Sequence, residues 1–236
     1  MMENTCNIAE NVHRLKFEVN EICTKLGKDA DKIQIMGVSK TKTAQDVEQA
    51  IKAGITLFGE NRVQELQQKA EMFQKYNMPC HIIGQLQTNK VKYLPQLTDC
   101  IQSVDSLKLA KEIDKQYLKY NKVADVLVEI NIGDEESKGG IDFSNAWEFI
   151  HEISELKGLS VKGLMCVPPI CEGDLVRRYF AQMHQLFIDI QSKKVDNVNM
   201  SILSMGMSDD YQVAIEEGAT MVRLGTALFG RRNYNI

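Results

Sequence analysis

Short apolar runs alternate with longer helical patterns along most of this chain, and that alternation restricts the available folds more than any other feature. Eight runs can be counted: Ile33–Ser39, Ile55–Gly59, Cys80–Gly84, Cys100–Val104, Val123–Ile132, Ser160–Val167, Met200–Met205 and Thr220–Leu224. Between them Ala44–Ala53, Arg62–Tyr76, Leu107–Tyr120, Phe143–Leu156, Leu175–Ser192 and Asp209–Glu217 read as helices, with Asn89–Leu94 a shorter connection. Strand then helix, repeated, joins parallel strands by crossovers. Eight such repeats in 236 residues point to a single α/β domain, a closed (β/α)8 barrel. An open doubly wound sheet alternates in the same way, so periodicity leaves closure undecided. No Pro/Gly/Ser-rich linker interrupts the series, and one domain over residues 1–236 is expected. An amphipathic helix at about 8–26 opens it, with Val12, Leu15, Phe17, Val19, Ile22 and Leu26 at near-helical spacing and Gly27 as the stop.

Composition removes several function classes. There are 28 basic and 32 acidic residues, a net charge of −4, dispersed without long blocks of one sign, which argues against a nucleic-acid binder. No run approaches the roughly 18 apolar residues of a membrane-spanning helix. The first residues carry Glu, Asn, Lys and Arg where a secretory signal needs an apolar stretch, so a cytoplasmic location is expected. Cys6, Cys23, Cys80, Cys100, Cys166 and Cys171 include no Cys-x-x-Cys pair, and they read as reduced thiols without a metal site or disulfide framework. The first strand leads into SKTKTAQD rather than a glycine-rich turn, and no Walker-type loop occurs, so nicotinamide, flavin and ATP readings lose support.

In a barrel the reactive groups lie at the carboxyl ends of the strands. Lys40 follows an apolar run there. Partial desolvation would favour its neutral, nucleophilic amine, suited to Schiff-base chemistry with an aldehyde; the bland alternative is a solvated loop lysine like Lys42. Loops after strands seven and eight often bind phosphate in such barrels. Here they supply Ser204, Met205, Gly206 and Ser208, then Gly225 and Thr226. Ser208 can equally cap the following helix. A lysine and a phosphate cup in one mouth suit an aldehyde that carries a phosphate, either pyridoxal phosphate or a sugar phosphate. Arg223, two residues before Gly225, could donate to a pyridine nitrogen and so oppose ring protonation, or it could be a salt-bridged rim arginine.

Seven ordered stretches carry a resemblance: GVSKTK (37–42), FGENRVQE (58–65), HIIGQLQTNK (81–90), INIGDEESKGG (130–140), GLMCVPP (163–169), LSMGMSDD (203–210) and VRLGTALFGRR (222–232). Through them the chain resembles the YggS/PROSC family of pyridoxal-phosphate homeostasis proteins, from about Ile33 to Tyr234. The family's domain is similar to the barrel domain of alanine racemases, pyridoxal-phosphate enzymes of fold type III. The resemblance implies pyridoxal 5′-phosphate held by Lys40 as an internal aldimine, and Arg223 facing the pyridine nitrogen. It implies phosphate contacts from Ser204, Gly225 and Thr226, with Asn61 lining the ring pocket and Met205 and Ser208 as further contacts. Cys80 and Gln85 depart from the family pattern and alter the pocket wall. His81 reads as structural, and Lys138 as a solvated loop residue or a transient second cofactor contact.

The resemblance implies a non-catalytic carrier that holds pyridoxal phosphate and supplies it, with apo-enzymes as partners and a monomeric state. A racemase of this barrel type uses a further β-domain and a base from the partner subunit, and no stretch here is long enough to encode that domain. Two alternatives stay open: a weak racemase-like enzyme with Lys40 as sole base, and an aldolase-type lyase that would need Glu60 as proton shuttle.

Overall fold

The computed structural model describes residues 7–133, 139–170 and 173–230. After helix α1 (Ile8–Lys25) come β1 (Gln34–Val38), α2 (Ala44–Lys52), β2 (Phe58–Glu60), α3 (Val63–Lys75), β3 (Cys80–Ile82) and β4 (Cys100–Val104). Then follow α4 (Leu107–Leu118), β5 (Ala124–Asn131), β6 (Ile141–Asp142), α5 (Ala146–Ser154), β7 (Leu159–Cys166), α6 (Asp174–Ser192), β8 (Val198–Ser204), α7 (Tyr211–Glu216), β9 (Met221–Leu224) and α8 (Thr226–Phe229). The strands pair in parallel in the order β4-β3-β2-β1-β9-β8-β7-β5, and β4 also pairs with β5. That last pairing closes the ring and abolishes both edges. It decides the question periodicity left open: the fold is a (β/α)8 barrel. The two-residue β6, which lies outside the eight, extends the end of β5 at Ile130 and Asn131. The crossover from β3 to β4 is the 3-10 turn Thr88–Tyr93 rather than an α-helix.

Strand side chains alternate between two environments with period two. Phe58, Ile82, Ile101, Val126, Val128 and Leu164 join the helices in one large cluster outside the barrel. Met36, Leu57 and Met221 form a separate cluster, as do Cys100, Leu127 and Met165, and Ile202 packs on both. These two clusters fill the barrel interior. Gly163 stands where the β7 ladder shifts register, with φ +152° and an ideal Cβ position only 1.8 Å from the Ile202 carbonyl oxygen, so no side chain fits.

Helix α1 buries Ile8, Val12, Leu15, Val19 and Cys23. Phe17, expected on that stripe, is 64% exposed, because two residues of helix from Leu15 turn it about 200° away. Asn7 caps the helix through Glu10 N–H. Asn11 and Arg14 donate to the carbonyls of Leu228 and Ala227, which fastens α1 to the chain just after β9. Cys23, Cys80, Cys100 and Cys166 are buried thiols; Cys6, Cys171 and Lys138 lie outside the described residues. No helix among the described residues is long and apolar enough to cross a membrane.

Candidate functional site

At the carboxyl ends of the strands the filling of the barrel changes from apolar to polar. Met36 packs inside, β1 ends at Val38, and Lys40 follows two residues on, half-buried at the carboxyl end of that strand. Ser39, of opposite parity, is fully buried toward α3 and donates its hydroxyl to Glu60 Oε1 at 2.6 Å. Lys69 of α3 donates to that same oxygen and to the Ser39 carbonyl, each at 2.6 Å. Burial holds the Glu60 carboxyl above its usual range, and its bonds to Lys69 and Ser39 offset only part of that. Engaged in this layer, Glu60 faces α3 and not the mouth.

A second polar chain crosses the interior. Arg223 is buried and donates to Ser204 Oγ at 2.8 Å and to the Cys166 carbonyl at 2.8 Å. Ser204 donates onward to Gln102 Oε1 at 2.7 Å, and the Gln102 amide nitrogen lies 2.8 Å from His81 Nδ1. Strands β9, β8, β4 and β3 are thus tied through the core. Burial lowers the His81 pKa to about 4, so the ring is neutral and structural. The Glu129 carboxyl on β5 is pushed up to about 7 by burial and by Asp105, against the pull of Arg223. Both hydrogen-bond partners of Arg223 are neutral, which leaves further N–H donors of its guanidinium for a ligand.

The loops after β8 and β9 meet. Gly206 takes φ +90°, where a Cβ would fall 2.5 Å from Ala214 Cβ, and its carbonyl accepts from Arg223 N–H at 3.0 Å. Ser208 does not cap α7; its hydroxyl accepts from Ala227 N–H at 3.0 Å and holds the turn after β9. Above Gly225 an ideal Cβ would meet nothing closer than Val38 at 3.7 Å, so there is room against its backbone. Thr226 is exposed and Gly225 and Ser208 are half-buried. Met205 is placed apart from the others: its side chain is fully buried in the outer cluster and its N–H bonds the Met221 carbonyl. The parity of β8 makes this so, since Ser204 takes the inward position. Asn61 stands at the end of β2 with Oδ1 buried and unpartnered among the described residues.

The structure therefore brings Lys40, Asn61, Ser204, Arg223, Gly225, Thr226 and Ser208 to one end of the barrel and leaves the Met205 side chain out. Gln102, Glu129 and Lys69 were not anticipated. A glutamine and a glutamate inside otherwise apolar strands, and a lysine on the buried stripe of α3, were the available signals. The polar groups suit a phosphorylated aldehyde with a ring nitrogen: an amine, a guanidinium, hydroxyls and open backbone at Gly225 as donors, and the orphaned amide oxygen of Asn61 as an acceptor.

Residues 11–233 match the alanine racemase N-terminal domain family. The chain is 42% identical to a pyridoxal phosphate homeostasis protein of Aquifex aeolicus, over 97% of this chain and 100% of that one. The chain belongs to the pyridoxal phosphate homeostasis protein family. Among solved structures, an unknown protein from Bifidobacterium adolescentis superposes with TM-score 0.90 at 31% identity, covering 97% of this chain and 98% of that one. PipY of Synechococcus elongatus, solved with pyridoxal phosphate bound, superposes with TM-score 0.78 at 29% identity, covering 90% of this chain and 100% of that one. Alanine racemase of Clostridium difficile shares the barrel alone, with TM-score 0.74 at 14% identity; this homeostasis-family chain covers 60% of its length.

Proposed function

We propose that this chain binds pyridoxal 5′-phosphate reversibly at the barrel mouth and acts in its homeostasis as a monomeric, non-catalytic carrier. What supports the reading is that the strand end preceding Lys40, the buried Arg223–Ser204 pair and the open backbone at Gly225 all lie at the carboxyl end of one barrel. The family, named for pyridoxal phosphate homeostasis, and the cofactor bound in PipY support it.

When bound, pyridoxal phosphate supplies an aldehyde that an amine captures reversibly. Lys40 would hold the group through its side-chain amine, and the chemistry supplied there would be reversible condensation of amine and aldehyde with loss of water. Arg223, held by Ser204 and the Cys166 carbonyl, would face the ring nitrogen of the bound group, where a cationic donor would oppose protonation of that nitrogen. Without a protonated ring, carbanions at an amino acid Cα gain little stabilisation, which favours storage over turnover. Gly225 and Thr226 offer N–H groups and a hydroxyl to the phosphate, and Ser208 fixes the turn that presents them. Ser204 contributes mainly through Arg223, since its hydroxyl is already engaged on both sides.

The reading is tested by absorption. Protein mixed with pyridoxal phosphate should gain a visible band that Lys40→Ala lacks while its circular dichroism is unchanged, because that change removes an amine and no core group. In deuterated solvent, Cα-proton exchange of alanine should not exceed that of the free cofactor. Exchange well above it, abolished by Lys40→Ala, would make the protein a racemase-like enzyme instead.

A further inference from the structure

Lys40 is joined to its neighbours by two peptide units, and helix α3 binds both. The Ser39 carbonyl, on the N-terminal side, accepts from Lys69 Nζ at 2.6 Å. The Thr41 N–H, on the C-terminal side, donates to Glu65 Oε2 at 2.7 Å. Residues 65 and 69 are one helical turn apart on α3 and so project from the same side. Ser39 is fixed at its other two polar groups as well: its N–H donates to the Gly59 carbonyl at 3.0 Å and its hydroxyl to Glu60.

This arrangement is costly. Lys69 occupies the buried stripe Val63, Leu66, Lys69, Phe73 of an amphipathic helix, and its ion pair with Glu60 has side chains only 7% and 0% exposed. Glu60 Oε2 lacks a partner among the described residues. A buried pair with an unsatisfied oxygen is no better for stability than apolar residues of similar volume. Thr41 in turn sits at φ +63°, a left-handed conformation that costs a non-glycine residue on the order of 1 kcal/mol and persists only where its surroundings enforce it. Both unfavourable features converge on the two peptide groups beside a single lysine.

We propose that Glu65 and Lys69 are positioning residues: together they clamp the backbone of Lys40 so that its amine meets the aldehyde in an attacking orientation. The Glu60 carboxylate neutralises Lys69 and extends the clamp to the strand end carrying Asn61. The proposal rests on the reading above that Lys40 is the amine that captures the cofactor.

The experiment compares two ligands in wild-type protein, Glu65→Ala, Lys69→Met and the charge-neutral pair Glu60→Gln/Lys69→Met. One is pyridoxal phosphate, followed by the rate at which the visible band appears; the other is pyridoxine phosphate, whose alcohol cannot react with an amine, followed by its dissociation constant. Loosening a positioned nucleophile can cost up to about 100-fold. Glu65→Ala, which alters no core group, and whichever Lys69 variant remains folded should slow band formation at least about ten-fold, with pyridoxine phosphate affinity within about three-fold of wild type. Undiminished rates in the folded variants overturn the clamp, as do parallel losses for both ligands, the mark of a general structural role. Wild-type protein that binds pyridoxine phosphate but never reacts with the aldehyde overturns the Lys40 reading and the clamp with it, a result distinct from the other two.

Discussion

At the scale of single residues, opposed burial effects give this site a testable pH signature. His81 has its folded pKa lowered to about 4 from an unfolded value near 6.5, so the unfolded chain binds more protons between those values and His81 makes stability rise with pH across that window. Glu129 has its folded pKa raised to about 7, so the folded chain binds more protons above about pH 4.5 and Glu129 makes stability fall as pH climbs to 7. Across pH 4.5–6.5 the two slopes largely cancel. Relative to wild type, denaturant unfolding of Glu129→Gln should therefore shift the pH dependence toward stability rising over that range, and His81→Gln toward stability falling, each by a few kcal/mol at most. Identical pH profiles in both variants and wild type would refute the paired assignment. His81 was readable from sequence as structural. Its partner Gln102 was not, because only the closed ring brings β4 opposite β8.

Among the elements, the strand ends fall within two residues of the ends of the apolar runs, since each run stops at a polar residue, a glycine or a proline. The helices were less legible at their margins. Phe17 lies within the apolar pattern of α1 yet faces outward, because i, i+2 spacing is not a helical stripe. Met205 failed for the corresponding reason in a strand: one step from an inward Ser204, its side chain belongs to the outer layer. The placement of Lys69 is not legible in the sequence because a lysine in a helix is ordinarily solvated, and its partners Glu60 and Ser39 come from two other parts of the chain. Two predictions belong here. Leu15→Ala, emptying part of the fully buried stripe of α1, should lower stability by about 2–5 kcal/mol by denaturant titration while leaving cofactor binding intact in the folded fraction. Gly163→Ala drives a methyl into the Ile202 carbonyl at the β7–β8 seam; it should cost more than about 4 kcal/mol or prevent soluble expression, whereas a mild effect would mean the seam can open.

For the whole molecule, the count of eight repeats carried the fold class, but closure came from a pairing between β4 and β5 that no local pattern encodes. The ring explains why residues as distant as Gln102, Ser204 and Arg223 join in one hydrogen-bonded chain: each sits on a strand facing the same interior. Pyridoxal phosphate, binding the folded form in preference to the unfolded one, should stabilise the barrel by RT ln(1 + [L]/Kd), about 2.7 kcal/mol at a hundredfold excess over Kd, read as a higher unfolding midpoint. The most direct measurement is peptide mass spectrometry after borohydride reduction of the protein loaded with pyridoxal phosphate. The pyridoxyl mass is predicted on the peptide containing Lys40 and absent from Lys40→Ala; an adduct on another lysine, or none on the loaded protein, contradicts the account.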